Sequence, residues 1–223
     1  MSDINSVYNY NLETTVYKAA KTGHRYIVDA MLKLGLNNYD KIAYGAAKGG
    51  DEELVKKMLK LAGDNINYIT LIQCAAQGGL KDMVMDLLHN YFKNNEDDWY
   101  DSIVYYVAEY AAKGGHKDIV DEMLKLGIID CFYRLAECAG KGGNKEIVFK
   151  LIELGARNFN DFVHSAAKYG HKDIVIEVIK YSNDVFNKDD YINIAEIAIR
   201  YGHKDIVDEM IKLGANKYDK LHL

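Results

Sequence analysis

The 223 residues are 49% hydrophobic and 27% charged, the balance of a folded chain rather than a disordered one. Acids outnumber bases 33 to 28, so a net charge of −5 argues against general affinity for nucleic acid, and no apolar run approaches the roughly 20 residues of a membrane span. Three cysteines, Cys74, Cys131 and Cys138, show no CxxC or CxxxC spacing, which argues against a disulfide framework or a zinc site and for a reducing, cytoplasmic setting.

The opening stretch, MSDINSVYNYNLE, has neither the basic start nor the apolar centre of a secretory signal. From near residue 12 the chain repeats itself seven times. One glycine marks each copy: Gly23, Gly50, Gly79, Gly115, Gly143, Gly170 and Gly202, at intervals of 27, 29, 36, 28, 27 and 32 residues. The first copy reads Ala19-Ala20, then Gly23-His24, then Ile27-Val28 and Met31-Leu32, and stops at Leu34-Gly35. Asn38 to Asp40 follow as natural N-caps for the next helix. The second copy carries Ala46-Ala47 and Leu54-Val55; the third carries Ala75-Ala76 and Met83-Val84. In the third copy Tyr91 replaces the closing glycine, and a longer link from His89 to Val107 includes Trp99 and Tyr100. The fourth copy is the fullest, Ala111-Ala112 through Ile119-Val120 and Met123-Leu124 to Leu126-Gly127. The fifth has Ala139-Gly140, Ile147-Val148 and Leu154-Gly155, with Asn158 to Asp161 as further N-caps. The sixth has Ala166-Ala167 and Ile174-Val175, with Ser182 in place of the closing glycine and a second longer link from Tyr181 to Ile194. The seventh has Ala198-Ile199, Ile206-Val207, Met210-Ile211 and Leu213-Gly214, and Asn216 to Leu223 begin another link.

Each copy therefore predicts a short helix, a glycine turn and a second helix. Alanine four residues before every marker glycine implies close approach of two backbones. Valine five residues after it, with apolar neighbours at i−1, i+3 and i+4, places one stripe on one face of the second helix. Proline is absent, so nothing breaks the helices except glycine. One such pair cannot bury its apolar faces alone, whereas stacked neighbours can. The expectation is an all-α, right-handed, gently curved solenoid of about seven helix-turn-helix repeats, one domain over residues 1–223 with modified terminal caps.

The paired alanines, the Gly-His turns at Gly23, Gly115, Gly170 and Gly202, the Ile-Val of the second helix and the closing Gly155-Ala156 and Gly214-Ala215 resemble ankyrin repeats. Ankyrin units commonly run 33 residues. Here only ten residues separate Gly35 from Ala46 and Gly155 from Ala166, and the Thr-Pro-Leu-His start is missing. The resemblance thus implies β-hairpin fingers that are shortened or absent. Such short copies, rich in Asn, Lys, Ile and Tyr, are similar to ankyrin proteins of large DNA viruses of amoebae.

Two residues before the marker glycine a cation stands in six copies: Lys21, Lys48, Lys113, Lys141, Lys168 and Arg200, with Gln77 the exception. Stacked at about 10 Å a step, they form a basic column, which in ankyrin-like stacking lies toward the concave surface. That column suits an acidic helix or tail of a partner. The competing reading is structural: cations suit helix C-termini, and Glu109, Glu137 and Glu196 stand one turn before three of them. Tyr44, Tyr110, Tyr169 and Tyr201 fall near the same face, and tyrosine is common at binding hot spots. The first half, with Tyr17 and Tyr44 in place of those glutamates, is expected to offer positive charge with exposed tyrosine. Trp99 and Tyr100 in the longer link are the remaining candidates, although Asp97 to Asp101 equally suit an acidic helix start.

His24, His116, His171 and His203 each follow a turn glycine, about one repeat apart, too far to share a metal ion. They suit hydrogen bonding at the turns. His164 stands alone on a first helix, read as exposed, and Cys138 near it lacks an orienting third group. No GxSxG, P-loop or dinucleotide motif occurs in its required context. The expectation is a non-catalytic scaffold or adaptor without cofactor or metal. It binds a protein partner of unknown identity, not nucleic acid or membrane, as a monomer in the cytoplasm (that of the host cell, if viral). The alternative is a structural component that assembles with copies of itself.

Overall fold

The computed structural model describes residues 2–63, 65–94, 100–127, 132–182 and 185–215, with the backbone alone at 2–10, 94, 100, 132 and 133. These residues form fourteen α-helices and no strand, seven helix-turn-helix pairs in chain order. The expected all-α, ankyrin-like fold is observed, and the links at 34–38 and 154–158 are short turns where fingers would stand.

Residues group into two units, Met1–Ile119 and Val120–Leu223. In the first, α1 (Ser2–Lys21), α3 (Tyr39–Lys48), α5 (Tyr68–Gly78) and α7 (Tyr100–Gly114) pack side by side in that order. Their partners α2 (Arg25–Lys33), α4 (Glu52–Ala62) and α6 (Lys81–Asn94) pair with α1, α3 and α5. α8 (Lys117–Lys125) crosses the boundary between the units. In the second unit α9 (Phe132–Gly142), α11 (Phe159–Tyr169) and α13 (Lys188–Tyr201) form one row. α10 (Lys145–Glu153), α12 (Lys172–Tyr181) and α14 (Lys204–Leu213) form the other.

The recurring residues explain this order. The seven valines of the second helices are at most 1% exposed, and the seven alanines of the first helices are buried as well. Each buried valine contributes about 1.5–3 kcal/mol of burial energy. The alanine also closes the turn. The N–H of the residue after the glycine donates to the alanine carbonyl in six copies, from His24–Ala19 to His203–Ala198, at 2.8 to 3.0 Å. That bond needs a left-handed residue, and Gly170 supplies it with φ of 81°. Backbones approach so closely that a Cβ on Gly140 would stand 2.7 Å from the Phe162 carbonyl oxygen of α11.

The two longer links are mainly longer helices. α6 has 14 residues, α7 has 15 and α13 has 14, against 9 to 11 in most others. Asn187 opens α13 with a capping box: its side chain accepts from the Asp190 N–H while Asp190 accepts from the Asn187 N–H. Asn38 and Asn158 do occupy N-cap positions, but neither side chain makes the capping bond expected of it. The Asn38 amide instead donates to Glu13 Oε1 at 2.9 Å. Asp51, Asn67 and Asn144 do cap, accepting from Leu54, Thr70 and Ile147 N–H groups.

Candidate protein-binding surface

In the second unit three of the basic positions stand on neighbouring helices. Lys141, Lys168 and Arg200 are last-turn cations of α9, α11 and α13, which pack in that order. Tyr169 and Tyr201 each follow a cation directly. The Lys141 ammonium stands 4.7 Å from the centre of the Tyr169 ring. Lys168 stands 5.7 Å from that ring and 5.3 Å from Tyr201. Lys168 thus stands near two rings, and the Tyr169 ring near two ammonium groups. The rings remain 40% and 47% exposed. Cation–π contacts at exposed sites contribute about 0.5–1 kcal/mol each. They hold flexible lysines in place while leaving the charge in reach of solvent. Among the described residues no ion pair within 4.0 Å joins Lys141 to Glu137, so its ammonium serves the Tyr169 ring rather than the i−4 glutamate.

The backbone behind this row is tied to the next copy. His171 Nε2 donates to the Lys141 carbonyl and His203 Nε2 to the Lys168 carbonyl, each at 3.1 Å. In the first unit His116 does the same to Gln77 at 3.1 Å. A carbonyl only accepts, so the proton sits on Nε2. The turn histidines do hydrogen-bond, but across copies, whereas His24 bonds locally with Thr22 Oγ1 at 2.7 Å.

The first unit differs from expectation. Lys21 is exposed, Lys48 and Lys113 are half-buried, and Lys113 stands 5.8 Å from the ring of Tyr110 on its own helix. Tyr44 is not a surface residue: it is 8% exposed, and its hydroxyl accepts from the Asn67 N–H at 2.9 Å. Burial raises the pKa of Tyr44, and likewise that of Tyr17. The pairing of positive charge with exposed tyrosine therefore belongs to α11 and α13, not to the first half. Tyr100 opens the α7 backbone, and Trp99 lies outside the described residues.

His164 is half-buried rather than exposed, its Nε2 has no hydrogen-bond partner, and burial lowers its pKa. Among the described residues no three His, Cys, Asp or Glu side chains are grouped to hold a metal ion, and no helix is long and apolar enough to cross a membrane.

Sequence reasoning missed a set of ion pairs between successive second helices. Lys145 reaches Glu177 at 2.6 Å, and Lys172 reaches Glu209 at 3.0 Å. The signal was present: a cation two residues after one marker glycine faces an acid seven residues after the next. These exposed pairs contribute little to stability and order the neighbouring rows.

Residues 135–220 match the family model for ankyrin repeats (3 copies), which covers the helices from α9 to α14. No curated protein matches the chain. Ankyrin repeats mark a protein–protein interaction domain, and the same buried alanines and valines continue through the four copies before them.

Proposed function

Starting from three ankyrin repeats across α9 to α14, we propose that this chain is a non-catalytic scaffold that holds a protein partner on the row Lys141, Lys168 and Arg200. The observation that carries the reading is the Lys168 ammonium 5.7 and 5.3 Å from two half-exposed tyrosine rings, with the Lys141 ammonium 4.7 Å from one of them. Three cations at helix C-termini suit an acidic helix or tail, and the rings offer rigid, amphipathic contact area. Lys21, Lys48, Lys113 and Tyr110 are a second, interrupted row of the same kind in the first unit. Recognition by such partly exposed charge acts mainly on association rate and weakens with salt. The protein works as a monomer in the cytoplasm. The resemblance to short-period viral ankyrin proteins supports a host or viral protein as partner.

The test is affinity capture from the native host with the wild-type chain, with Lys141→Glu/Lys168→Glu/Arg200→Glu, and with Lys21→Glu/Lys48→Glu/Lys113→Glu. Loss of a discrete partner in the first variant supports the reading. Undiminished capture by both variants overturns it, and a concentration-dependent oligomer of the pure chain favours self-assembly instead.

A further inference from the structure

The second helices carry an exposed apolar side chain at one repeated place. Eleven residues after the marker glycine stand Leu34, Leu61, Leu126, Leu154, Tyr181 and Leu213, all between 40% and 88% exposed. Single exposed leucines are ordinary. Recurrence at one phase in six of seven copies is not scatter. The helix ends do not require it: at α10 the capping bonds run from backbone N–H groups, Gly155 to Ile152 and Ala156 to Leu151, and the side chain of Leu154 takes no part.

In the second unit α10, α12 and α14 pack in order, so Leu154, Tyr181 and Leu213 form a row at their C-terminal ends. Tyr181 widens it by standing 5.8 Å from the Phe149 ring and 6.3 Å from Phe159. Cations flank it. Lys180 and Lys212 directly precede Tyr181 and Leu213 and are exposed, and Arg157 closes α10 by donating to the Ile152 and Ala156 carbonyls. Glu153, Glu177 and Glu209 are the nearby acids on these helices; Glu177 is held by Lys145 at 2.6 Å, and Glu209 by Lys172 and Lys212 at 3.0 Å each. This row lies at the opposite end of each helix pair from the Lys141–Lys168–Arg200 row and does not depend on it.

We infer that the C-terminal ends of α10, α12 and α14 are a second docking edge, and that its occupant is an amphipathic helix of a partner protein with apolar residues seven apart and acidic residues beside them. The spacing selects a helix. Packed helices step by about 10 Å, and seven helical residues rise about 10.5 Å, so one helix face meets every member of the row. An extended segment covers about 10 Å in three residues, which puts successive contacts on opposite faces. The flanking cations select acidic neighbours on the partner. A second copy of this chain fits poorly, because its described second helices turn their valine stripes inward.

The probe is a labelled 21-residue helical peptide with leucines seven apart and glutamates beside them, read by fluorescence anisotropy against the full chain. The control has the same composition with leucines five apart. The seven-spaced peptide binds the wild type and loses about tenfold affinity with Leu154→Ser/Leu213→Ser and with Leu154→Ser/Tyr181→Ser/Leu213→Ser. The double variant keeps Tyr181 on its aromatic neighbours, so unchanged circular dichroism separates lost docking from lost folding. Lys141→Glu/Lys168→Glu/Arg200→Glu leaves this binding within about twofold, which separates it from the proposed partner row. Failure of the peptide to bind, equal binding by the control or by the serine variants, or binding of anionic lipid vesicles in place of the peptide overturns the inference.

Discussion

The His171 imidazole reaches back one helix pair, its Nε2 3.1 Å from the carbonyl oxygen of Lys141. The bond joins the turn of one copy to the residue that carries the cation of the previous copy. His203 repeats it on Lys168. The ring needs room, and glycine provides it: a Cβ on Gly143 would fall within 3.0 Å of His171, and one on Gly170 would stand 2.7 Å from His203. The marker glycine thus serves twice, as the left-handed turn residue and as the seat for the next histidine.

His171→Ala is expected to lower stability by about 1–3 kcal/mol, since the Lys141 carbonyl loses its partner in a partly buried place. Gly143→Ala is expected to cost more than the few tenths of a surface change, because it meets both a φ of 70° and the histidine ring. In the His171→Ala background the steric part disappears and only the backbone strain remains. Urea unfolding of the two single variants and the double reads this directly. Additive losses would refute the shared seat.

Two asparagines at equivalent helix starts are expected to behave differently. Asn187→Ala removes the side-chain bonds from the Asp189 and Asp190 N–H groups, keeps the bond from its own backbone N–H to Asp190, and costs about 1 kcal/mol. Asn158→Ala removes no capping bond and stays within about 0.5 kcal/mol. Thermal unfolding separates them, and equal losses would mean that Asn158 caps in solution.

The fold was legible because its signal is a phase. Ala19 to Ala198 and Val28 to Val207 recur at fixed offsets, and stacking of helix pairs within each unit buries them. The surface was less legible. Tyr44 and Tyr169 are both tyrosines of first helices, six residues and one residue before their marker glycine. Five positions turn a helix by about 140° beyond one full circle. That rotation takes Tyr44 under the stack and leaves Tyr169 on the outside, beside Lys168. Asn38 carried the right residue type for a cap, but Glu13, 25 positions earlier, takes its amide. Leu154 belongs by pattern to a helix stop, but the Ala156 N–H closes that stop on the Leu151 carbonyl and the Leu154 side chain stays exposed.

His164 sets a pH dependence. Burial holds its pKa below the usual 6.5, with Asp161 and Asp190 opposing that shift in part. Between the lowered folded value and 6.5 the unfolded chain binds the proton more readily, so stability rises with pH across that window and falls as the solution is acidified through it. The urea midpoint at pH 5 is therefore expected below that at pH 7, and His164→Gln is expected to reduce the difference. Asp51 acts lower: Arg25 lowers its pKa, so its contribution is present above about 3.8 and is lost as pH falls through the folded value. An unchanged pH 5 to pH 7 difference in His164→Gln would place the titrating group elsewhere.

Lys168 separates recognition from stability. It touches two rings from an exposed position, and each contact contributes about 0.5–1 kcal/mol at most. Its place in the last turn of α11 adds a few tenths through the helix dipole. Lys168→Ala is therefore expected to lower the unfolding free energy by no more than about 1–2 kcal/mol, and Lys168→Arg to restore it, since guanidinium stacks on aromatic faces as well. Partner capture responds differently. If the cation is the recognition element, Lys168→Ala weakens capture and flattens its salt dependence, while Tyr201→Phe, which keeps the ring, changes neither. Capture that follows thermal stability across these variants, with no separate dependence on salt, would leave the row as scaffolding for the helix ends and nothing more.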